Sequence, residues 1–263
     1  MRELFLDKTL KLFKLFFLIF GCAGLLFGQA ITVAAAADLN VALTELARMY
    51  QQQTGGNVKL SFGSSGNLFN QIQNGAPFDL FLSADEDYPR QLIQVGLAES
   101  SSFYRYAVGK LVVWVAASSP LDVERRGINV LLDSSLKKIA LANPQHAPYG
   151  RAAEAALRHY GIYDKVANRL VLGENVSQAA QFVESGNAQA GLVALSHAMA
   201  PTMRGKGRYW QIPQDAYPPV NQAAVIPSRS SHKKQAERFL QFLKTTDAKA
   251  VLERYGCATR EGH

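Results

Sequence analysis

Four times in this chain a short apolar run stops at small and hydroxyl residues and gives way to an amphipathic helix. Few folds accommodate that alternation. The first run, Ile31-Thr32-Val33, continues through Ala34 to Ala37 into Asp38. A helix follows with Leu43, Leu46, Ala47 and Tyr50 on one face and a stop at Thr54-Gly55-Gly56. Asp38 or Asn40 is placed to cap its start. In the second unit Val58, Leu60 and Phe62 alternate with Lys59 and Ser61, as in a strand. The turn is Phe62-Gly63-Ser64-Ser65-Gly66-Asn67, and a short helix with Leu68 and Ile72 runs to Gly75-Ala76-Pro77. The third unit is a strand over 138–142, a turn from Asn143 to Gly150 and an Ala-rich helix from Arg151 to His159. The fourth is Leu170-Val171-Leu172, the turn Gly173-Glu174-Asn175-Val176 and a helix over 177–184 that Gly186 ends.

Strands that alternate with helices give an α/β fold with mainly parallel sheets flanked by helices. Ligands of such sheets bind beyond the carboxyl ends of the strands. The first amides of a helix lack partners inside it, and the helix dipole is positive there. Glycine lets a ligand approach the backbone, and Ser64 and Ser65 add neutral donors, a combination suited to a small anion. The plainer reading of Gly63 to Gly66 is a Gly/Ser turn with serine as the N-cap. Two such turns lie in the first third of the chain and two in the middle, which points to two lobes with a polar cleft between them.

The remaining pattern fits the same class. Residues 78–82 read as a buried strand, 87–95 as a helix and 109–116 as a long apolar strand. Residues 121–136 read as a polar helix and loop, and 189–195 as a strand with helix-like residues 196–203 after it. The run 220–226 is a strand that Pro227 ends. Two helices close the chain, the second capped by Asp247 and stopped by Gly256.

Residues 1–30 have the form of an export signal: Arg2, Lys8, Lys11 and Lys14, then apolar Leu15 to Leu26, then Gly28-Gln29-Ala30. The apolar stretch is short for a permanent span. Lipid anchoring through Cys22 is the rival outcome, and either places the protein outside the cytoplasmic membrane. Cleavage after Ala30 would leave Cys257 alone, with no internal disulfide. Net charge is +7, but the basic residues are scattered, and Arg204-Gly205-Lys206-Gly207-Arg208 reads as a solvated loop. Nucleic acid is therefore not an expected partner. The five histidines and two cysteines show no metal-ligand spacing, so no free metal cation is expected.

The segment from Ile31 to Leu39 resembles the start of the periplasmic molybdate-binding proteins, the capture components of ABC importers. So do Phe62 to Gly66, Gly75-Ala-Pro-Phe-Asp-Leu-Phe-Leu-Ser-Ala-Asp85, Asn143 to Gly150, Glu174 to Gln178 and Arg254-Tyr255-Gly256. The resemblance covers 31–257 in order. It implies a two-lobed periplasmic binding protein fold of type II with the ligand cleft between lobes. Residues 31–112 and 222–263 would form lobe 1 and residues 113–221 lobe 2, with crossings near Val112-Val113 and Asn221-Gln222. It implies high-affinity capture of molybdate or tungstate by a monomer in the periplasm, with no cofactor, and delivery to a membrane permease. The ligand set it implies is Ala37, Asp38, Ser64, Ser65, Tyr149 and Val176. Ser65 matches a serine that binds through hydroxyl and amide, and Val176 a residue that donates its backbone N–H. Tyr149 falls where relatives use a backbone amide or carry a tyrosine.

Two departures stand out. Asp38 falls where many relatives have a ligand serine. Its side chain is expected to turn away and cap the following helix, leaving the amides of Ala37 and Asp38 as donors; the alternative is a protonated Asp38 that donates one hydrogen bond. Ala194 falls where several relatives carry a ligand tyrosine, and the Tyr149 phenol is the candidate replacement. No catalytic residue is expected: Gly63-Ser64-Ser65-Gly66 is not a nucleophile elbow, and no His/Asp spacing identifies a base. Competing ligands on the same fold are sulfate, phosphate or an organic acid. An arginine in the cleft, with Arg151 as candidate, would mark a carboxylate.

Overall fold

The computed structural model describes residues 30–259. Residues 1–29 of the stretch read as an export signal, Cys22 among them, and His263 lie outside the described residues. In chain order the strands are β1 (Ile31–Ala36), β2 (Val58–Gly63), β3 (Leu80–Ser83), β4 (Tyr104–Gly109), β5 (Leu111–Ala116), β6 (Ile139–Ala142), β7 (Leu170–Gly173), β8 (Ala190–Ala194), β9 (Gly207–Gln211) and β10 (Val220–Val225). The α-helices are α1 (Asn40–Thr54), α2 (Ser65–Gln73), α3 (Asp87–Gln94), α4 (Val123–Arg126), α5 (Pro148–His159), α6 (Tyr163–Val166), α7 (Val176–Glu184), α8 (Leu195–Ala198), α9 (Lys233–Leu243) and α10 (Thr246–Arg254).

The strands form two five-stranded sheets of matching design, in the orders β2-β1-β3-β10-β4 and β7-β6-β8-β5-β9. In the first, β1 pairs parallel with β2 and β3, while β10 runs antiparallel to both β3 and β4. In the second, β6 pairs parallel with β7 and β8, while β5 runs antiparallel to β8 and β9. Each sheet thus has four strands pointing one way and one, fourth in the order, pointing back. The expectation of mainly parallel sheets is corrected to mixed sheets, because that returning strand makes two of the four ladders antiparallel. The returning strand in each case carries the chain in from the other sheet. The chain leaves the first sheet at Gly109 and enters the second at Leu111, then returns between Gln211 and Val220.

Helices cover both faces. Phe239, Leu240 and Leu243 of α9 and Val251 and Leu252 of α10 pack with Leu43 and Leu46 of α1 on one face of the first sheet. Leu68, Phe69, Ile72 and Leu92 cover the other face. The second sheet buries Trp114, Leu141, Val193, Ala156 and Leu157 in a core of its own. Fully burying one such leucine contributes about 1.5–3 kcal/mol, so helices that each bury several hold the layers together.

The structure corrects several local readings. Strands β4 and β9 were not expected. Tyr104-Arg105-Tyr106 has no long apolar run, and β9 begins inside the glycine-basic cluster. Arg208 is not a solvated side chain, because its guanidinium donates to the carbonyls of Ser119 and Leu121. Residues 121–136 bury Ile128, Val130 and Leu131 and so are not a polar surface segment. Helix α5 begins at Pro148, not Arg151, because proline fits the first helical position. Thr245, not Asp247, caps α10 by accepting from the Ala248 N–H.

Candidate binding site between the sheets

Every parallel strand places its carboxyl end at the seam between the two halves. Beyond β1 lies the tight turn Ala37–Leu39; beyond β2, Ser64 and the start of α2; beyond β3, Ala84 and Asp85. From the other half come Ala147 to Tyr149 before and within α5, and Asn175 and Val176 at the start of α7. These segments line a small cavity at the seam. All six residues expected in the ligand set, Ala37, Asp38, Ser64, Ser65, Tyr149 and Val176, line it, and so do Ala36, Gly63 and Ala84. No lysine or arginine lines it.

The donors are neutral. Three helix N-termini, of α2, α5 and α7, converge, and the leading amides of a helix have no partner inside it. Ser65 is 1% exposed, and its hydroxyl oxygen accepts from the Ala84 N–H at 2.9 Å. Its own proton therefore remains to be donated. Asn175 caps α7 by accepting from the Gln178 N–H at 3.1 Å, which holds the Val176 amide at the seam. Ser64 sits at the N-cap of α2 with extended backbone, but its hydroxyl does not close the cap; it meets His146 Nδ1 at 2.9 Å instead.

Asp38 departs from expectation. It caps neither the turn nor α1; the residue before α1 is Leu39, with no side-chain cap. The tight turn carries Asp38 one residue too early to reach the α1 amides. Its side chain is 2% exposed and faces a buried polar cluster. Oδ2 accepts from Gln222 Nε2 at 2.5 Å and from the Tyr149 hydroxyl at 3.3 Å. Oδ1 is buried without a partner among the described residues. Burial pushes the carboxyl up to about 6, against the lowering effect of those two hydrogen bonds and of its own backbone N–H. The phenol of Tyr149 is thus engaged with Asp38 and Gln222, which leaves its backbone N–H, second in α5, as the free donor. The phenol fits because residue 109 is glycine: a Cβ there would lie 2.1 Å from the Tyr149 hydroxyl. Ala194 ends β8, fully buried, and does not line the cavity.

Contacts across the seam join the halves around the cavity. The Ser177 hydroxyl donates to the Ala37 carbonyl at 3.0 Å, and the Ser196 hydroxyl to the Asp38 carbonyl at 2.8 Å. Ser177 has one proton, already given to Ala37, so His197 Nε2, 2.7 Å away, donates to it. Burial pushes His197 down to about 4, which keeps it neutral. The Gly66 N–H donates to the His146 carbonyl at 2.9 Å, and Asn67 bonds Glu174. Arg151 pairs with Asp85 at 2.6 Å and lies over the Tyr88 ring, at the outer edge of the seam. It does not line the cavity, so the feature that would mark a carboxylate ligand is missing there. Asp79 braces loops, accepting from the Thr32 N–H, Ser230 and His232.

Gln222, Ser177, Ser196 and His197 escaped the sequence reading. Gln222 alone left a signal, a polar residue inside the apolar strand 220–226. The other three lie on helix starts where Ser and His are ordinary.

Residues 31–258 match the family model described as bacterial extracellular solute-binding protein. The chain belongs to that family. It is 37% identical over 229 residues to the molybdate-binding protein ModA of Rhodobacter capsulatus, covering 87% of this chain and 88% of that one. It is 39% identical over 226 residues to ModA of Azotobacter vinelandii, covering 86% and 88%. The solved periplasmic molybdate-binding protein of Azotobacter vinelandii superposes with a TM-score of 0.83 at 36% identity, over 88% of this chain and all of that one. That match shows the two-lobed type II binding-protein fold. Among the described residues no helix is long and apolar enough to cross a membrane, and no group of three or more His, Cys, Asp and Glu could hold a metal ion.

Proposed function

We propose that the protein captures molybdate, and tungstate with it, outside the cytoplasmic membrane and delivers it to the permease of an ABC importer. The observation that carries this reading is a small cavity lined by converging helix starts and hydroxyls with no lysine or arginine. A lysine or arginine would draw in any anion by charge. Neutral donors in fixed positions select by oxygen geometry and size. Two relatives named for molybdate are 37% and 39% identical to this chain over the aligned stretch.

The first sheet with α1–α3, α9 and α10 is lobe 1, and the second sheet with α4–α8 is lobe 2. Ala37, Asp38, Ser64, Ser65, Tyr149 and Val176 surround the oxyanion. Amides of Ala37, Asp38, Tyr149 and Val176 and the hydroxyl of Ser65 donate to its oxygens. Both lobes contribute donors, so the anion stabilises the closed arrangement. The protein works as an exported monomer, with no nucleic-acid partner and no chemical step. Two serine–histidine contacts do not alter this. His197 Nδ1 has no carboxylate partner, and Glu174 is 3.8 Å from His146 Nε2, beyond hydrogen-bond distance.

The test is isothermal titration of the chain from Ile31 with molybdate, tungstate, sulfate and phosphate. Tight one-to-one binding of the first two with no heat from sulfate is the expected result. Tight sulfate or phosphate binding would keep the fold and move the ligand.

A further inference from the structure

We propose that capture of the oxyanion takes up one proton, which sits on Oδ1 of Asp38 and is donated to an oxygen of the bound anion. The inference rests on the ligand reading above and deepens it.

Asp38 lines the cavity and is buried. Both of its partners are donors, and both engage Oδ2: Gln222 Nε2 at 2.5 Å and the Tyr149 hydroxyl at 3.3 Å. The Gln222 amide can only donate, at 2.5 Å, so Oδ2 goes on accepting from it in either protonation state. The proton is placed on Oδ1, which has no partner among the described residues, while Oδ2 is taken up by the short Gln222 contact. A carboxylate there would hold a full charge against a dianion, with no cation lining the cavity to offset it. Protonated, the same group becomes a short neutral donor, like the hydroxyls and amides around it. One atom then supplies the missing donor and removes the repulsion.

The other titratable groups around Asp38 do not compete for the proton. Tyr106 on β4, Tyr149 on α5 and buried Cys257 after α10 all feel the Asp38 charge, and burial raises each of them, so they stay protonated near neutral pH. Asp85 acts on Tyr106, and Lys110, between β4 and β5, acts on Cys257. His197 on α8 is neutral down to about 4. Without the anion, burial has already pushed the Asp38 carboxyl up to about 6, and a dianion in contact with it, with no lysine or arginine beside it, raises it further, above the pH of the titration.

Molybdate titrations at pH 7.5 in two buffers of different ionisation enthalpy count the protons taken up. One proton per anion is expected. Across roughly pH 6.5–8.5 the Kd should weaken about tenfold per pH unit. Asp38→Asn, which keeps an acceptor for Gln222 and offers an N–H where the acid offered O–H, should bind with no proton uptake and a flat pH profile. Tight molybdate binding by the unaltered chain with no proton uptake and a flat profile overturns this inference alone. No molybdate binding at any pH overturns it together with the ligand assignment. An Asn variant that binds and still takes up one proton also sinks it, since the proton would then reside elsewhere.

Discussion

At the level of single residues, Ser65 and Asp38 divide the work of the cavity. Ser65 is held by the Ala84 N–H and aims its one proton inward, so Ser65→Ala removes a hydrogen bond to a charged ligand without disturbing the helix start. The expected loss is about 1.5–3 kcal/mol, or roughly 10–150-fold in molybdate Kd by titration calorimetry. Asp38 acts on stability as well. Its folded-state carboxyl lies near 6 and its ordinary value near 3.8. The folded state therefore holds the proton more tightly than the unfolded one. The corresponding stability is fully present below about pH 4 and is lost as pH rises to about 6. Above that, the buried charge costs about 2–3 kcal/mol. Asp38→Asn without anion should thus unfold at higher urea than the parent at pH 8, and the gap should shrink as pH falls toward 4. Equal midpoints at pH 8 would contradict this. The turns that line the cavity were legible in the sequence because turns that follow strands announce themselves by small and hydroxyl residues, while the individual ligand residues followed from the resemblance to molybdate-binding proteins. The direction of the Asp38 side chain was not. Gln222, 184 positions away in sequence, decides it, and the place of β10 between β3 and β4 brings it there.

Among the elements, the helix starts do two jobs at once. The N-terminus of α2 presents Ser65 to the cavity and, one residue on, docks Gly66 against the opposite half. A Cβ at residue 66 would lie 2.7 Å from the His146 carbonyl and 2.6 Å from the Tyr88 hydroxyl. Gly66→Ala should therefore block closure. We expect at least a hundredfold loss of molybdate affinity with little change in the unfolding midpoint of the anion-free protein if it rests open. Ser177→Ala and Ser196→Ala each remove one hydroxyl-to-carbonyl link across the seam, worth about 0.5–1.5 kcal/mol. Stopped-flow dissociation should quicken a few-fold for each, and unchanged rates would show that these links do not hold the closed state. Periodicity revealed most of these elements, since Leu43, Leu46 and Tyr50, or Val58, Leu60 and Phe62, carry their own signal. It missed β4 and β9, whose residues Arg105, Arg208 and Gln211 are polar and take up strand geometry from their neighbours. Tertiary pairing outweighed local propensity in both.

For the whole molecule, the two sheets share one plan but differ in how the chain supplies them. All five strands of the second sheet come from one continuous stretch, Leu111 to Gln211. The first sheet draws four strands from the opening 109 residues and its fifth, β10, from Val220–Val225. β10 lies between β3 and β4, which have no other link in the sheet. Helices α9 and α10, which cover one face of that sheet, come later still. A ribosome thus releases the first hundred residues long before the strand that completes them. During that interval β3 and β4 have no partner between them, and the apolar face under α9 and α10 stays open. The export proposed above gains from this order, because the first sheet cannot lock into its final form until the trailing end of the chain has been made.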